Sequence, residues 1–416
     1  MSWAVIQLGS REHYAIPSAL AGAGELDVLV TDAWIPAALE PMVRLLSRSL
    51  AGRRCRAIPD RLVRSRTPGR LLMDTAMKLG GIGGWNAILR RNEWFQTWVS
   101  HEVARSDAHT VFSYSYTARL PFAAARRRGA RRILGQIDPG PREEEIVREA
   151  ASKYLHLAPP DELAPRLYWE RWKEEVELAE KIVVNSPWSA KLLVEAGVSA
   201  AKLVEIPLVY ERADSTCDEW LVTSDESNRK RLKRGNTEPE VSKPEVAPRQ
   251  RLRALFLGSV ILRKGVGQLF EAIKMLKSEA VDFTFAGPVG VRIPDEISQL
   301  PNVRFLGPVD KATCETLYES SDVFLFPTLS DGFGLTQLEA LGHGLPIIAS
   351  TNCGRVVEDR VNGLALDQVT PETIAGAIME LVRDRDILAA LKANARIPDQ
   401  CLPKHLAPAL LALDKS

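Results

Sequence analysis

Cysteine is scarce in this chain. The five present (Cys55, Cys217, Cys314, Cys353 and Cys401) are odd in number, scattered, and form no C-x-x-C pair. That spacing excludes a disulfide framework and a zinc knuckle, and predicts a reducing compartment. The six histidines include no H-E-x-x-H or comparable ligand spacing, which argues against a zinc enzyme. Charge of one sign is also lacking: 54 Lys+Arg against 53 Asp+Glu leave a formal charge of +1, so no global field recruits nucleic acid. No apolar run approaches the ~18 residues of a membrane span. The N-terminal WAVIQLG is too short for a signal peptide and no basic segment precedes it, so a cytoplasmic protein is expected.

What is present is an ordinary globular composition, 45% hydrophobic and 26% charged, over 416 residues, a length that predicts two domains. Short β-rich runs alternate with amphipathic helical stretches. Strands are expected at 4–9, 26–32, 109–115, 132–138, 181–186 and 203–207, and again at 253–259, 282–287, 303–307, 322–327 and 345–350. Runs this apolar, separated by helices, predict parallel strands covered on both faces, hence a doubly wound α/β fold. Ser186-Pro187 predicts an N-cap and first turn for the helix PWSAKLLVEAG, which Gly197 ends. Residues 211–250 are charged and poor in aliphatics, and are expected to link two halves. Between Arg44 and Arg70 stand nine arginines against the single acid Asp60, and RRRGARR follows at 126–132. With its interspersed leucines this is either a solvated basic face or one that rests on anionic lipid, at the inner face of the cell membrane.

The second half concentrates chemistry at strand ends, where open α/β sheets bind ligands. FLGSVILRKG offers Ser259, Arg263 and Lys264. FLGPV (305–309) makes a tight turn at Gly307. FPTLSDGFGLTQLEALGHGLP places Asp331, Gly332, Phe333, Gly334 and Leu335 in a glycine-rich loop before a helix expected near Gly334. Free amides at such a helix start suit phosphate, and glycines let the backbone approach it. Lys264 would reach the same phosphates, and Glu339, about a turn and a half into the helix, would accept hydrogen bonds from a diol such as ribose. Asp331 would face whatever lies beyond the phosphates. A nucleoside diphosphate joined to a hydroxyl-rich group fits this set.

The spacing D-x(7)-E from Asp331 to Glu339, with FLGSVILRKG, LPNVRFLGPV, SDVFLFPTLSDGFG and VNGLAL, resembles the retaining glycosyltransferases of family 4 (glycosyl transferases group 1). KIVVNSPWSAKLLVEAGVSAAKLVEIPLVYE resembles the last unit of that family's N-terminal domain, and HYAIPSAL and ILGQIDPG resemble a bacterial polysaccharide-type branch. The resemblance implies a GT-B fold, two Rossmann-like doubly wound parallel-sheet domains facing a cleft. It assigns 1–210 to the acceptor domain, 251–397 to the nucleotide-sugar domain and 398–416 to a tail crossing back. It implies sugar transfer from a nucleotide-diphosphate sugar to a hydroxyl acceptor with retention, with neither metal nor cofactor. Lys264 would neutralise the leaving diphosphate, Glu339 would hold the ribose and Asp331 would address the sugar. Residues 332–335 would supply amides, and 305–309 would frame the base. Two positions depart from the family: Asp331 stands where it has Glu, and Ser259 where it has Arg, which leaves Arg263 as the second cation if it turns inward.

In the first half the candidates are Asp138 as catalytic general base near the acceptor, or simply a turn-former, and His13, Ser115 and Tyr116 as cleft residues. His343 is read as packing or capping. The acceptor is expected to be lipid-linked or a polysaccharide. A non-catalytic GT-B-like protein that binds a sugar nucleotide or a partner stays open as the alternative, with Ser259 in its favour.

Overall fold

The computed structural model describes residues 2–46, 50, 52–158, 163–212 and 251–415. Two sheets, parallel throughout, organise the chain. The first has seven strands, β1 (Trp3–Gln7), β2 (Leu26–Thr31), β3 (Val63–Ser65), β4 (Thr110–Tyr114), β5 (Arg131–Gly135), β6 (Lys181–Val184) and β7 (Leu203–Glu205), in the order β3-β2-β1-β4-β5-β6-β7. The second has six, β8 (Leu252–Leu257), β9 (Val281–Ala286), β10 (Val303–Phe305), β11 (Val323–Phe326), β12 (Ile347–Ser350) and β13 (Gly363–Leu366), ordered β10-β9-β8-β11-β12-β13. The expected strands form within two residues at nearly every boundary. β3 and β13 were not expected as strands, and each is an edge strand of three or four residues.

Helices cover both faces of each sheet, so central strands such as β1 and β4 are buried at every residue. Local chemistry starts these helices as their sequences predict. Ser186 accepts from Ser189 N at the head of helix Pro187–Glu195, with Pro187 in the first turn. Asp310 does the same through Thr313 N for helix Lys311–Ser320.

The strand order reverses between β1 and β4 in the first sheet and between β8 and β11 in the second. Loops leaving those strands diverge and open a crevice at each reversal, which fixes where a ligand can sit. The terminal segment returns to the first sheet. Leu406, Leu410 and Leu413 join the core of Trp3, Leu20 and Phe112, and Asp414 accepts from Trp3 Nε1 at 2.8 Å and Thr110 Oγ1 at 2.6 Å. Apart from Glu211 and Arg212, the expected linker lies outside the described residues. No helix among the described residues is long and apolar enough to cross a membrane.

The arginine-rich stretch turns partly inward. Arg70 and Arg53 pair with the buried Asp32, whose Oδ1 also accepts from Gly9 N at 2.9 Å, and Arg54 pairs with Glu40. Arg53 and Arg70 thus hold the loop after β1, and Arg54 the start of helix Glu40–Leu46. Arg48 lies outside the described residues.

Candidate active site

The loops after β8 and β11 meet at the second reversal point. Helical turn Leu262–Lys264 follows β8 and ends at Gly265, which has φ +74 and packs so closely that a Cβ would lie 1.8 Å from the Pro327 carbonyl oxygen. That contact brings Arg263 and Lys264 onto the loop 327–335. Lys264 Nζ ion-pairs with Asp331 Oδ2 and lies 4.6 Å from the Phe326 ring centroid. Arg263 does turn inward: its Nη1 stands 3.3 Å from Asp331 Oδ2 and donates to Ser330 O at 3.1 Å. Burial pushes the Asp331 carboxyl up, but Lys264 and Arg263 together outweigh it and hold the group below the usual carboxylate range. Two cations around one carboxylate, on a strand-end loop, make a place that can exchange that carboxylate for a phosphate.

Ser259 is buried just after β8, and Gly307 takes φ +68 while its carbonyl accepts from Gly287 N at 2.8 Å. Gly334 has φ +83 and sits against the Phe326 ring, 2.3 Å from where a Cβ would stand. Phe333 is buried, and its N–H is directed to Asp331 Oδ1 at 3.3 Å. That amide therefore serves the acid of its own loop, where the sequence suggested one open to phosphate. Gly332 also differs from expectation: the backbone it approaches is that of the other half, its Cβ position lying 2.5 Å from Ile137 O.

The helix after the loop is Thr336–Gly342, which begins two residues later than expected, with Leu335 as its cap. Glu339 consequently lies in the first turn, nearer the crevice. Its Oε2 accepts from Tyr318 OH at 2.8 Å, and no donor among the described residues bonds its other oxygen. Burial pushes its carboxyl up to about 7 against that hydrogen bond. His343 stacks on Tyr318 with ring centroids 5.2 Å apart, the packing role expected of it.

Across the crevice, Asp138 Oδ1 accepts from Tyr116 OH at 2.6 Å, Gly140 N at 2.9 Å and Gln136 Nε2 at 3.0 Å. Ser115 is buried and accepts from Ile137 N at 3.3 Å, while Tyr116 stacks on Tyr168 with centroids 4.5 Å apart. Ser115 and Tyr116 thus support the Asp138 loop from beneath instead of lining the cleft. His13 is exposed, within electrostatic range of Lys311 from the second half. It sits in a run of three left-handed residues, Glu12, His13 and Tyr14 (φ 49, 51 and 62), a strained turn after β1.

Other functional residues escaped the sequence reading. Trp188 Nε1 donates to Ser330 Oγ at 3.0 Å and Ser189 Oγ to Gly332 O at 3.3 Å, so the first turn of helix Pro187–Glu195 clamps the Asp331 loop. Glu143, from helix Pro141–Lys153, comes within 3.6 Å of Arg263. The same helix carries Ala151 and the following Leu157 into the core of the second sheet. Tyr318 and Glu143 had no motif to mark them. Ser189 and Trp188 follow a readable N-cap, but their partners lie more than 140 residues away.

Residues 251–384 match the family model described as glycosyl transferases group 1. That match covers about a third of the chain, and the two parallel sheets around it form a GT-B fold. An uncharacterized glycosyltransferase of Methanocaldococcus jannaschii is 30% identical over 150 residues, 34% of this chain and 38% of that protein. An uncharacterized protein in the cps region of Klebsiella pneumoniae is 27% identical over 209 residues, 48% of this chain and 53% of that one. The matched stretch thus spans about half or less of these relatives. Among solved structures, Anabaena HepE in complex with UDP shares the fold with a TM-score of 0.62 at 12% identity, covering all of both chains. The glycosyltransferase match contains Ser259, Arg263, Lys264, Gly307, Asp331 and Glu339, the whole second-half constellation.

Proposed function

We propose that this protein transfers a sugar from a nucleotide-diphosphate sugar to a hydroxyl acceptor, with retention at the anomeric carbon and without a metal. The observation that carries the reading is the pairing of Lys264 and Arg263 with Asp331 at the strand-order reversal, with Glu339 one turn beyond. The group 1 match over these residues and the UDP held by a protein of the same fold support it.

Leaving-group departure builds negative charge on the diphosphate and positive charge at the anomeric carbon. Lys264 and Arg263 meet the first charge from fixed positions, which lowers the barrier without reorganisation. Asp331, released from Lys264 by the incoming phosphate, turns its charge toward the sugar. Glu339 accepts from the ribose hydroxyls through its unbonded oxygen. The acceptor's proton passes to the departing phosphate on the same face, so retention needs no protein nucleophile. Asp138, fixed by three donors through one oxygen, orients the acceptor with the other.

The acceptor we assign as a lipid-linked or polysaccharide hydroxyl presented at the inner face of an anionic membrane. Its support is the N-terminal half, where Leu71, Leu72 and Leu79 of helix Thr67–Leu79 are exposed, as are Arg56, Arg64 and Arg66 of the arginine-rich stretch.

The test is thermal-shift binding of UDP, GDP, ADP and TDP and their sugar conjugates, with Glu339→Ala alongside. Stabilisation by one nucleotide, lost in the variant, is expected. No stabilisation of folded protein by millimolar ligand overturns the donor reading. Binding without transfer to any hydroxyl acceptor would leave the non-catalytic binding protein in its place.

A further inference from the structure

Three consecutive glutamates open helix Pro141–Lys153, and the structure sends them to three different places. Glu144 turns back into the first half, accepting from Ala164 N at 2.6 Å and Trp169 Nε1 at 3.0 Å, and Glu145 pairs with Arg142 at the surface. Glu143 crosses to the second half. Its Oε1 is shut off from solvent, receives no hydrogen bond, and stands 3.6 Å from Arg263 Nη1. The aim of this helix is set by Asp138, which binds Gly140 N, and by the φ +74 of Gly140 itself.

The charges converging on this point do not balance for an anionic ligand. Arg263 and Lys264 bring two cations. Asp331 from the second half, and Glu143 and Asp138 from the first, bring three carboxylates. A nucleoside diphosphate adds further negative charge, and its oxygens compete for the same guanidinium. A carboxylate that loses its cation in a water-poor crevice either protonates or repels the ligand. Asp331 can turn toward the sugar, and Asp138 keeps its hydrogen-bond donors. Glu143 has Arg263 as its one cation, with the neutral Ser330 hydroxyl as its remaining support.

We propose that Glu143 positions the Arg263 guanidinium in the donor-free cleft and takes up one proton from solvent when a nucleoside diphosphate takes over that guanidinium. Burial already lifts the Glu143 carboxyl to about 7 against the pull of Arg263, with Asp138 and Asp331 raising it further, so the second protonation state is within reach near neutrality. Because the acid and the arginine belong to opposite sides of the crevice, donor binding exchanges this tie between the two halves for one between Arg263 and the ligand.

This inference rests on the donor-site reading above, and the experiment separates the two. Isothermal titration of the full chain with UDP, ADP, GDP and TDP at pH 8, in buffers of differing ionisation enthalpy, reads nucleotide binding and proton uptake independently. The nucleotide that binds is expected to bring uptake of about 0.5–1 proton, and its Kd to weaken by up to about tenfold per pH unit above 7. Glu143→Gln should bind with no uptake and a flat pH profile, whereas Glu143→Asp, which keeps the carboxyl, should restore uptake. A merely structural Glu143 would lower the melting temperature of Glu143→Gln and leave the buffer dependence as in the wild type, which overturns the proposal. Wild-type binding without proton uptake overturns it with no variant needed. Absence of binding by every nucleotide overturns the donor reading and this inference with it.

Discussion

Tyr318 donates its phenolic hydroxyl to Glu339 at 2.8 Å, and both side chains are buried under the crevice of the second half. The bond favours the ionised carboxylate against a burial that pushes the group up to about 7. Glu339 can accept from a ligand diol at neutral pH because Tyr318 holds its other oxygen. Tyr318→Phe removes that donor and moves the acid further toward its protonated form. A hydrogen bond to a charged group contributes about 1.5–3 kcal/mol, so nucleotide affinity should fall about tenfold or more. Calorimetric titration of the variant, checked for a folded melting transition, measures this. Unchanged affinity would detach Glu339 from nucleotide binding.

Lys264→Ala should depress turnover on the order of a hundredfold or more, the scale for losing one preorganised group that meets transition-state charge. Arg263 stays paired with Asp331 in that variant, so the loop after β11 should keep its position and the fold its stability. Steady-state rates with the donor that binds decide it. A variant within twofold of wild type would remove Lys264 from the mechanism.

Glu12 gives a pH signature of its own. It sits in the strained turn after β1, accepts from Tyr114 OH at 2.9 Å, and is pushed by burial from 4.5 up to about 7. An acid whose folded pKa exceeds its unfolded value stabilises the fold fully below the unfolded value, and that contribution is lost as pH rises through the folded one. Glu12→Gln cannot ionise and still accepts from Tyr114. Its melting temperature relative to wild type should therefore climb between pH 4.5 and about 7 and level off above. A difference that is flat across that range would show that Glu12 titrates normally.

Much of this architecture is legible in the sequence because the central strands are buried on both faces and read as unbroken apolar runs. β3 escaped because it is a three-residue edge strand inside RLVRS, where arginines mask the pattern. The arginines around it look like a solvated face. Asp32, which draws Arg53 and Arg70 inward, lies at the end of a different strand, beyond the reach of local periodicity. The candidate site divides along the same line. Lys264, Asp331 and Glu339 sit in local motifs on strand ends, and the structure gathers the first two into one ion-paired cluster. Tyr318 matters through a partner on another helix of its own half, and Glu143, Trp188 and Ser189 through partners that only the closed crevice brings near. Ser115 and Tyr116 mark the opposite case: they follow a strand end, as cleft residues do, but point beneath the loop.

The contact between Gly332 and Ile137 makes the crevice itself testable. A methyl group at 332 would meet Ile137 O at 2.5 Å, too close for any Cβ, and neither backbone can yield without parting the two halves or shifting the Asp331 loop. Gly332→Ala should therefore weaken the Trp188–Ser330 and Ser189–Gly332 bonds and reduce turnover more than it reduces stability. Gly376 is the matched control. It lies inside helix Pro371–Arg383 with nothing within 4 Å of its Cβ position, so Gly376→Ala should raise stability by about 0.5–1 kcal/mol and leave turnover unchanged. Denaturant midpoints and rates for the two variants separate a glycine required by a domain contact from one a helix would rather lose. If Gly332→Ala behaves like Gly376→Ala, the two halves do not need this contact to work.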